Sequence, residues 1–90
     1  MTINDNDIIE TLNESRETGF RMLLNKYQEP VYWHIRRLVV SHDDAQDATQ
    51  ETFIKTFRSI GHFRGDSSLR TWLYRIATNE ALRLISKRRQ

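Results

Sequence analysis

The sequence predicts an all-α fold, a compact bundle of about four helices with a long C-terminal helix. Three observations carry that prediction. No stretch alternates apolar and polar residues with period two over a useful length, so strands leave no signature. Apolar residues recur instead at three- and four-residue spacing. Only three glycines and one proline interrupt 90 residues, a length that makes one small domain with a modest core.

The elements follow in order. A short helix is expected over Asp5–Glu14, with Ile8, Ile9 and Leu12 on one side. A second is expected from about Glu17 to Val40, carrying Phe20, Leu23, Leu24, Tyr27, Val31, Ile35, Leu38 and Val39. Pro30 lies inside that pattern; it removes the bond to the Lys26 carbonyl and bends the helix without necessarily ending it. Ser41-His42-Asp43-Asp44 has the chemistry of a helix start. The third helix then reaches Ser59 or Ile60, burying Ala45, Ala48, Phe53, Phe57 and Ile60. A loop, His62 to Ser67, precedes a last helix capped by Ser67 or Ser68 and running towards Lys87. Its apolar side is Leu69, Trp72, Leu73, Ile76, Ala77, Ala81 and Leu84.

Composition narrows the function classes. There are no cysteines, hence no disulfides, thiolate metal sites or thiol nucleophile. No apolar run approaches the roughly 18 residues needed to span a membrane. The polar, acidic segment Met1–Asp7 is wrong for a secretory signal, so a soluble cytoplasmic protein is expected. The formal charge of +2 conceals a split: residues 1–53 hold 5 Lys/Arg against 10 Asp/Glu, and residues 54–90 hold 9 against 2. Such a division suggests two partners of opposite chemistry, although helical domains also differ in sign between their ends by chance.

On the third helix, Asp44, Asp47 and Glu51 share a face with Lys55 and Arg58, and Gln50 and Ile54 lie at its edge. Acidic residues in the first turns suit the macrodipole and need no partner. They do not explain Ile54 projecting among charges, which a protein-binding strip does. Asp43, Asp44 and Asp47 also fit the DDxxD pattern of Mg²⁺-diphosphate enzymes. Ninety residues cannot enclose the apolar substrate those enzymes hold. His34, His42 and His62 show no ligand spacing, and Ser67 and Ser68 lack the context of a nucleophile, so neither metal, cofactor nor catalytic residue is expected.

The last third is basic and polar. Thr71, Arg75, Thr78, Asn79 and Ser86 share one side of the final helix, with Arg83 near their edge. Arg64 and Arg70 precede them and Lys87-Arg88-Arg89 follow. Arginine and lysine neutralise phosphates, while Asn, Thr and Ser bond base edges or backbone oxygens. Phe63, Trp72 and Tyr74 add aromatic surface on which bases stack. Trp72 occupies a core position, so Phe63, in the loop beside Arg64 and Gly65, is the better candidate to meet a base. Gly65 lets backbone approach a ligand closely.

Two segments then resemble a known family. Asp44-Ala45-Gln46-Asp47-Ala48-Thr49-Gln50-Glu51-Thr52-Phe53 is similar to the DAEDLVQETF signature of extracytoplasmic-function (ECF) sigma factors. Phe63-Arg64-Gly65-Asp66-Ser67-Ser68-Leu69-Arg70-Thr71-Trp72-Leu73-Tyr74-Arg75-Ile76-Ala77 resembles that family's FRGESSLRTWLYRIA block almost throughout, and Asn79 follows at the family's spacing. The resemblance covers the chain from about Phe20. It implies sigma region 2, a non-catalytic domain spanning residues 1–90. The family's first block docks on the β′ clamp helices of core RNA polymerase. By position, Asp47, Gln50 and Glu51 would lead here, supported by Asp44 and Ile54. The family's loop and following helix melt and read the −10 promoter element on the non-template strand, a flipped base sitting between them. Here that implies Phe63, Arg64, Gly65, Asp66, Ser67 and Asn79, with Arg75 and Arg83 near the strand. An anti-sigma factor is a further partner that many relatives have; a small-molecule substrate is not expected.

Some positions depart from the family pattern. Glu80 replaces an apolar residue and falls near the apolar side of the last helix, where it either faces an unfilled edge or loosens the final turns. Arg83 stands where many relatives carry Asp, Thr49 replaces an aliphatic and Phe57 a Trp. The family's interdomain linker would begin at Lys87-Arg88-Arg89-Gln90, so the chain is expected to be one domain of a longer protein whose −35-reading domain is absent here. Two other readings stay open: an autonomous duplex-binding helix-turn-helix regulator, and a metal-dependent enzyme built on Asp43, Asp44 and Asp47.

Overall fold

A computed structural model describes residues 3–89 of the chain. Four α-helices account for nearly all of it: α1 (Asp5–Glu14), α2 (Arg16–Arg36), α3 (His42–Ser59) and α4 (Leu69–Arg88), with a single 3₁₀ turn over Ile60–His62. No strand occurs among the described residues.

Each helix starts on a side chain that satisfies free N–H groups. Asn4 Oδ1 accepts from the N–H groups of Asn6 (2.7 Å) and Asp7 (3.3 Å). Ser15 ends α1 and caps α2, so the two helices share one junction residue. Ser41 Oγ accepts from Asp44 N at 3.1 Å, and Ser68 Oγ from Thr71 N at 3.0 Å. Ser68 is thus the cap of α4, and Ser67 is not.

α2 runs through Pro30 as one helix but stops at Arg36, four residues before the expected Val40. The apolar period continues past that point for a different reason. Leu38 N donates to Ile35 O, turning the chain so that Val39 folds back into the core while Leu38 stays exposed and Val40 is 92 % exposed. Arg36 Nη1 holds the turn by donating to Val39 O at 3.1 Å.

α1 packs on α2, α3 on α4, and α2 spans both. Ile8, Leu23, Val31, Ile35, Leu69 and Leu73 are almost completely enclosed. Small residues are buried along both α3 and α4: Ala45, Ala48, Thr49, Thr52 and Thr56 on the first, Ala77 and Ala81 on the second. The buried threonines bring no orphan hydroxyls. Thr49, Thr52 and Thr56 donate to the carbonyls of Ala45, Ala48 and Thr52, each at 2.7 Å. Thr49 therefore substitutes for an aliphatic residue without leaving a polar group unpaired. Among the described residues no buried side-chain nitrogen or oxygen lacks a partner.

Two expectations about burial are corrected. Phe57 is 37 % exposed, with Phe20 edge-on at 5.0 Å and the Arg16 guanidinium 5.3 Å from its ring. Glu80 is 4 % exposed and neither faces a void nor loosens α4. Its Oε2 accepts from Lys55 Nζ of α3, and its Oε1 from Arg83 Nε at 3.1 Å. The two departures on α4, Glu80 and Arg83, are partners of each other. α4 continues through Lys87 and Arg88, where a linker was expected to begin; Gln90 lies outside the described residues.

Candidate functional site

Two surfaces gather the residues singled out in the sequence, one between α2 and α3, the other on α4. The first is an open groove of about 1000 Å³. Phe20 and Leu24 of α2 meet Phe53, Ile54 and Phe57 of α3 along it, and Phe20 also stands edge-on to Phe53 at 6.4 Å. Asp47 and Gln50 form part of the rim, so that of the five predicted residues Asp47, Gln50 and Ile54 lie along it. Ile54 is 44 % exposed, an apolar side chain offered to a partner rather than to the core. Tyr32 Oη and His42 Nδ1 share a 2.6 Å hydrogen bond where α2 faces the start of α3.

Glu51, predicted to lead with Asp47 and Gln50, and Asp44, predicted to support them, do not line the groove. The Asp44 carboxylate accepts from Arg88 Nη2 at 2.6 Å, clasping the start of α3 to the end of α4. This engagement gives the Asp44 carboxylate a guanidinium partner. Among the described residues no group of three or more His, Asp or Glu is placed to hold a metal ion. The α2 wall of the groove, with Phe20, Leu24, Gln28 and Tyr32 at every fourth position, was not among the predicted site residues. Its spacing is readable in the sequence, but the helix it faces is decided by packing.

The second surface begins in the loop before α4. Phe63 N donates to Ile60 O, closing the 3₁₀ turn. Gly65 has φ +78°, a left-handed conformation that side chains with a Cβ resist. A Cβ there would meet nothing within 4 Å, so the demand for glycine is conformational rather than steric. Arg64, Gly65 and Asp66 are exposed, and Ser67 is half-buried. Phe63 is half-buried too, its ring 5.3 Å from that of Trp72, itself only partly enclosed. The expected contrast between a free Phe63 and a core Trp72 gives way to an aromatic pair at the edge of the bundle.

Along α4, Arg70, Thr71, Tyr74, Arg75, Thr78 and Asn79 line a shallow notch of about 420 Å³. Arg75 and Asn79, both predicted, are exposed there. Arg83 is not part of the notch; it is turned towards Glu80, though its side chain remains 57 % exposed. The Arg70 guanidinium lies 4.5 Å over the Tyr74 ring. From α2, His34 Nε2 bonds Thr78 Oγ1 at 2.8 Å, and its ring centroid is 4.8 Å from that of Tyr74. Burial, then the charges of Arg37 and Arg70, hold the His34 imidazole below its ordinary pKa. No local spacing in the sequence signals this placement beside the notch, because Thr78 is 44 residues away.

The described residues thus form an all-helical domain with an acid-rimmed apolar groove and a separate basic, amide-bearing notch. The chain matches the Sigma-70 region 2 family over residues 23–90 and belongs to that family. It is 44 % identical over 77 residues to the RNA polymerase sigma-H factor of Pseudomonas aeruginosa, covering 86 % of this chain and 40 % of that protein. It is 42 % identical over 79 residues to the ECF RNA polymerase sigma-E factor of Haemophilus influenzae, covering 88 % and 41 %. The chain therefore spans about two fifths of the length of these relatives. Its fold is similar to the NMR structure of an engineered region 2 of sigmaE in complex with GTAAAA, at TM-score 0.81 and 33 % identity over 94 % of this chain and 88 % of that one.

Proposed function

We propose that this domain binds core RNA polymerase through the α2–α3 groove and recognises and melts the −10 promoter element through the Phe63–Ser67 loop and α4. One observation carries the reading. Asn79 and Arg75 stand exposed on a basic notch after a loop with a left-handed Gly65, in a chain whose fold is similar to a region 2 held with GTAAAA. Amide and guanidinium groups read base edges and phosphates, and capturing an unstacked base offsets the few kcal/mol that unstacking costs. That coupling makes recognition and strand opening one event, with no chemical step and no cofactor.

The groove supplies the other half. Asp47 and Gln50 border an apolar strip in which Ile54 is presented outward, a pattern suited to the β′ clamp helices. Glu51 is assigned to the margin of this contact, and Asp44 supports it indirectly through its clasp to Arg88. An anti-sigma factor is the third partner this reading proposes, and −35 recognition is assigned to another domain of the longer protein.

Titration against a β′ clamp-helix fragment and against a single-stranded −10 oligonucleotide tests both halves. Asp47→Ala and Gln50→Ala are expected to weaken the first interaction about tenfold, roughly 1.4 kcal/mol, and leave the second unchanged. Asn79→Ala is expected to do the reverse, with circular dichroism unaltered in each variant. Failure of the folded wild type to bind the clamp fragment would overturn the polymerase assignment. Tight sequence-specific duplex binding without polymerase would favour an autonomous regulator.

A further inference from the structure

The notch on α4 does not stop at α4. Its Tyr74–Thr78 side is continued by His34 of α2, which bonds Thr78 and stacks beside Tyr74. Arg37 follows His34 by one helical turn and is exposed at the end of α2. On α4, Arg70 lies 4.5 Å over the Tyr74 ring, which is itself 4.8 Å from the imidazole. The cations on this face, like most in the molecule, have no carboxylate partner among the described residues. Lys26, Lys55, Arg83 and Arg88 each have a carboxylate partner, whereas among the described residues Arg37, Arg70 and Arg75 have none. A group of arginines without counter-charges, around a histidine held towards its neutral form, is a surface whose self-repulsion an anionic backbone relieves.

We propose that the strand-binding face extends from α4 across His34 onto α2, and that Arg37 is a phosphate contact for the DNA strand, acting together with Arg70 of α4. The inference rests on the reading that α4 carries the −10 strand. Arg37 caps the C-terminal end of α2, where a positive charge is also favoured by the helix dipole. That local role affects stability and leaves the salt dependence of DNA binding untouched, so the two are separable.

The test is fluorescence anisotropy of the domain with a labelled single-stranded oligonucleotide carrying the −10 element and its flanks, over about 50 to 200 mM salt. Loss of one phosphate contact on a single strand reduces the slope of log K against log salt by about 0.7. Arg37→Gln is expected to show that reduction, and Arg37→Lys, which keeps the charge, to retain the wild-type slope. Arg21→Gln removes an exposed charge elsewhere on α2 and is expected to leave the slope alone. Asn79→Ala is expected to lower affinity without changing the slope, as a base contact does. A wild-type slope in Arg37→Gln, with Asn79→Ala still weakened, overturns the extension onto α2 and leaves the proposed function standing. An equal reduction in Arg21→Gln overturns it as well, by tracing the effect to net charge. Absence of binding by the wild type overturns both.

Discussion

His34 shows how one side chain ties local chemistry to the proposed surface. It bonds Thr78, stacks beside Tyr74 and faces the positive charges of Arg37 and Arg70. Burial is the largest cause of its lowered pKa, followed by those two charges, and all of them disfavour the imidazolium. The unfolded chain carries a histidine of pKa about 6.5, so folding favours the neutral form. The stability this contributes is fully present above about pH 6.5 and is lost as pH falls through the folded-state pKa. Thermal melts between about pH 7.5 and 5 should therefore show a steeper acid decline for the wild type than for His34→Gln, whose side chain bonds Thr78 without titrating. At neutral pH the same variant keeps that bond and loses the ring contact with Tyr74, for an expected cost of about 0.5–1.5 kcal/mol. Parallel declines in the two proteins would assign the acid sensitivity elsewhere.

Between elements, the informative group is Glu80, whose carboxylate joins α4 to α3 through Lys55 and closes on Arg83 along its own helix. Glu80→Ala removes charge-assisted bonds and leaves a gap, for an expected cost of about 1–3 kcal/mol. Glu80→Leu should stay within about 1 kcal/mol of the wild type, because the Lys55 and Arg83 side chains, 41 % and 57 % exposed, rehydrate freely. A leucine variant melting as low as the alanine one would mean that the ion pairs contribute net stability. This cluster also shows what was legible beforehand. Helical period alone gave α1 at its observed bounds, and in the structure Asn4 and Ser15 mark those ends locally. The period misplaced the end of α2, since Val39 reaches the core by a turn rather than by continuing the helix. It also placed Phe57 inside, where α2 covers only part of it. Asp47, Gln50 and Ile54 converged as expected because one helix carries all three. The wall opposite them on α2 and the arrival of His34 at Thr78 depend on how helices pack, which no single stretch of sequence encodes.

The molecule as a whole depends on a segment outside the matched family region, which begins at residue 23. α1 supplies Ile8 to the core with no exposed surface. It approaches α2 closely enough that a Cβ on Gly19 would stand 2.6 Å from Leu12 Cγ. Asp5 accepts from Lys26 Nζ at 2.7 Å and from Tyr27 Oη at 2.8 and 2.9 Å. Burial, with that carboxylate second, pushes the Tyr27 phenol well above its usual range. Tyr27 in turn stands edge-on to Tyr74 at 6.4 Å, and Tyr74 lines the notch on α4. Support thus passes from α1 through the core to the proposed strand-binding face. Ile8→Ala should cost about 2–5 kcal/mol, a large part of the roughly 5–15 kcal/mol that holds a domain folded. A chain of residues 15–90 keeps Ser15 to cap α2 and loses only α1. It should unfold at markedly lower urea than the full chain, and where folded it should bind the −10 strand more weakly, because Tyr27 has lost the acceptor that fixes it against Tyr74. An unchanged urea midpoint would make α1 an appendage. A lowered midpoint with full strand affinity would limit its role to stability and break the path from Asp5 to the notch.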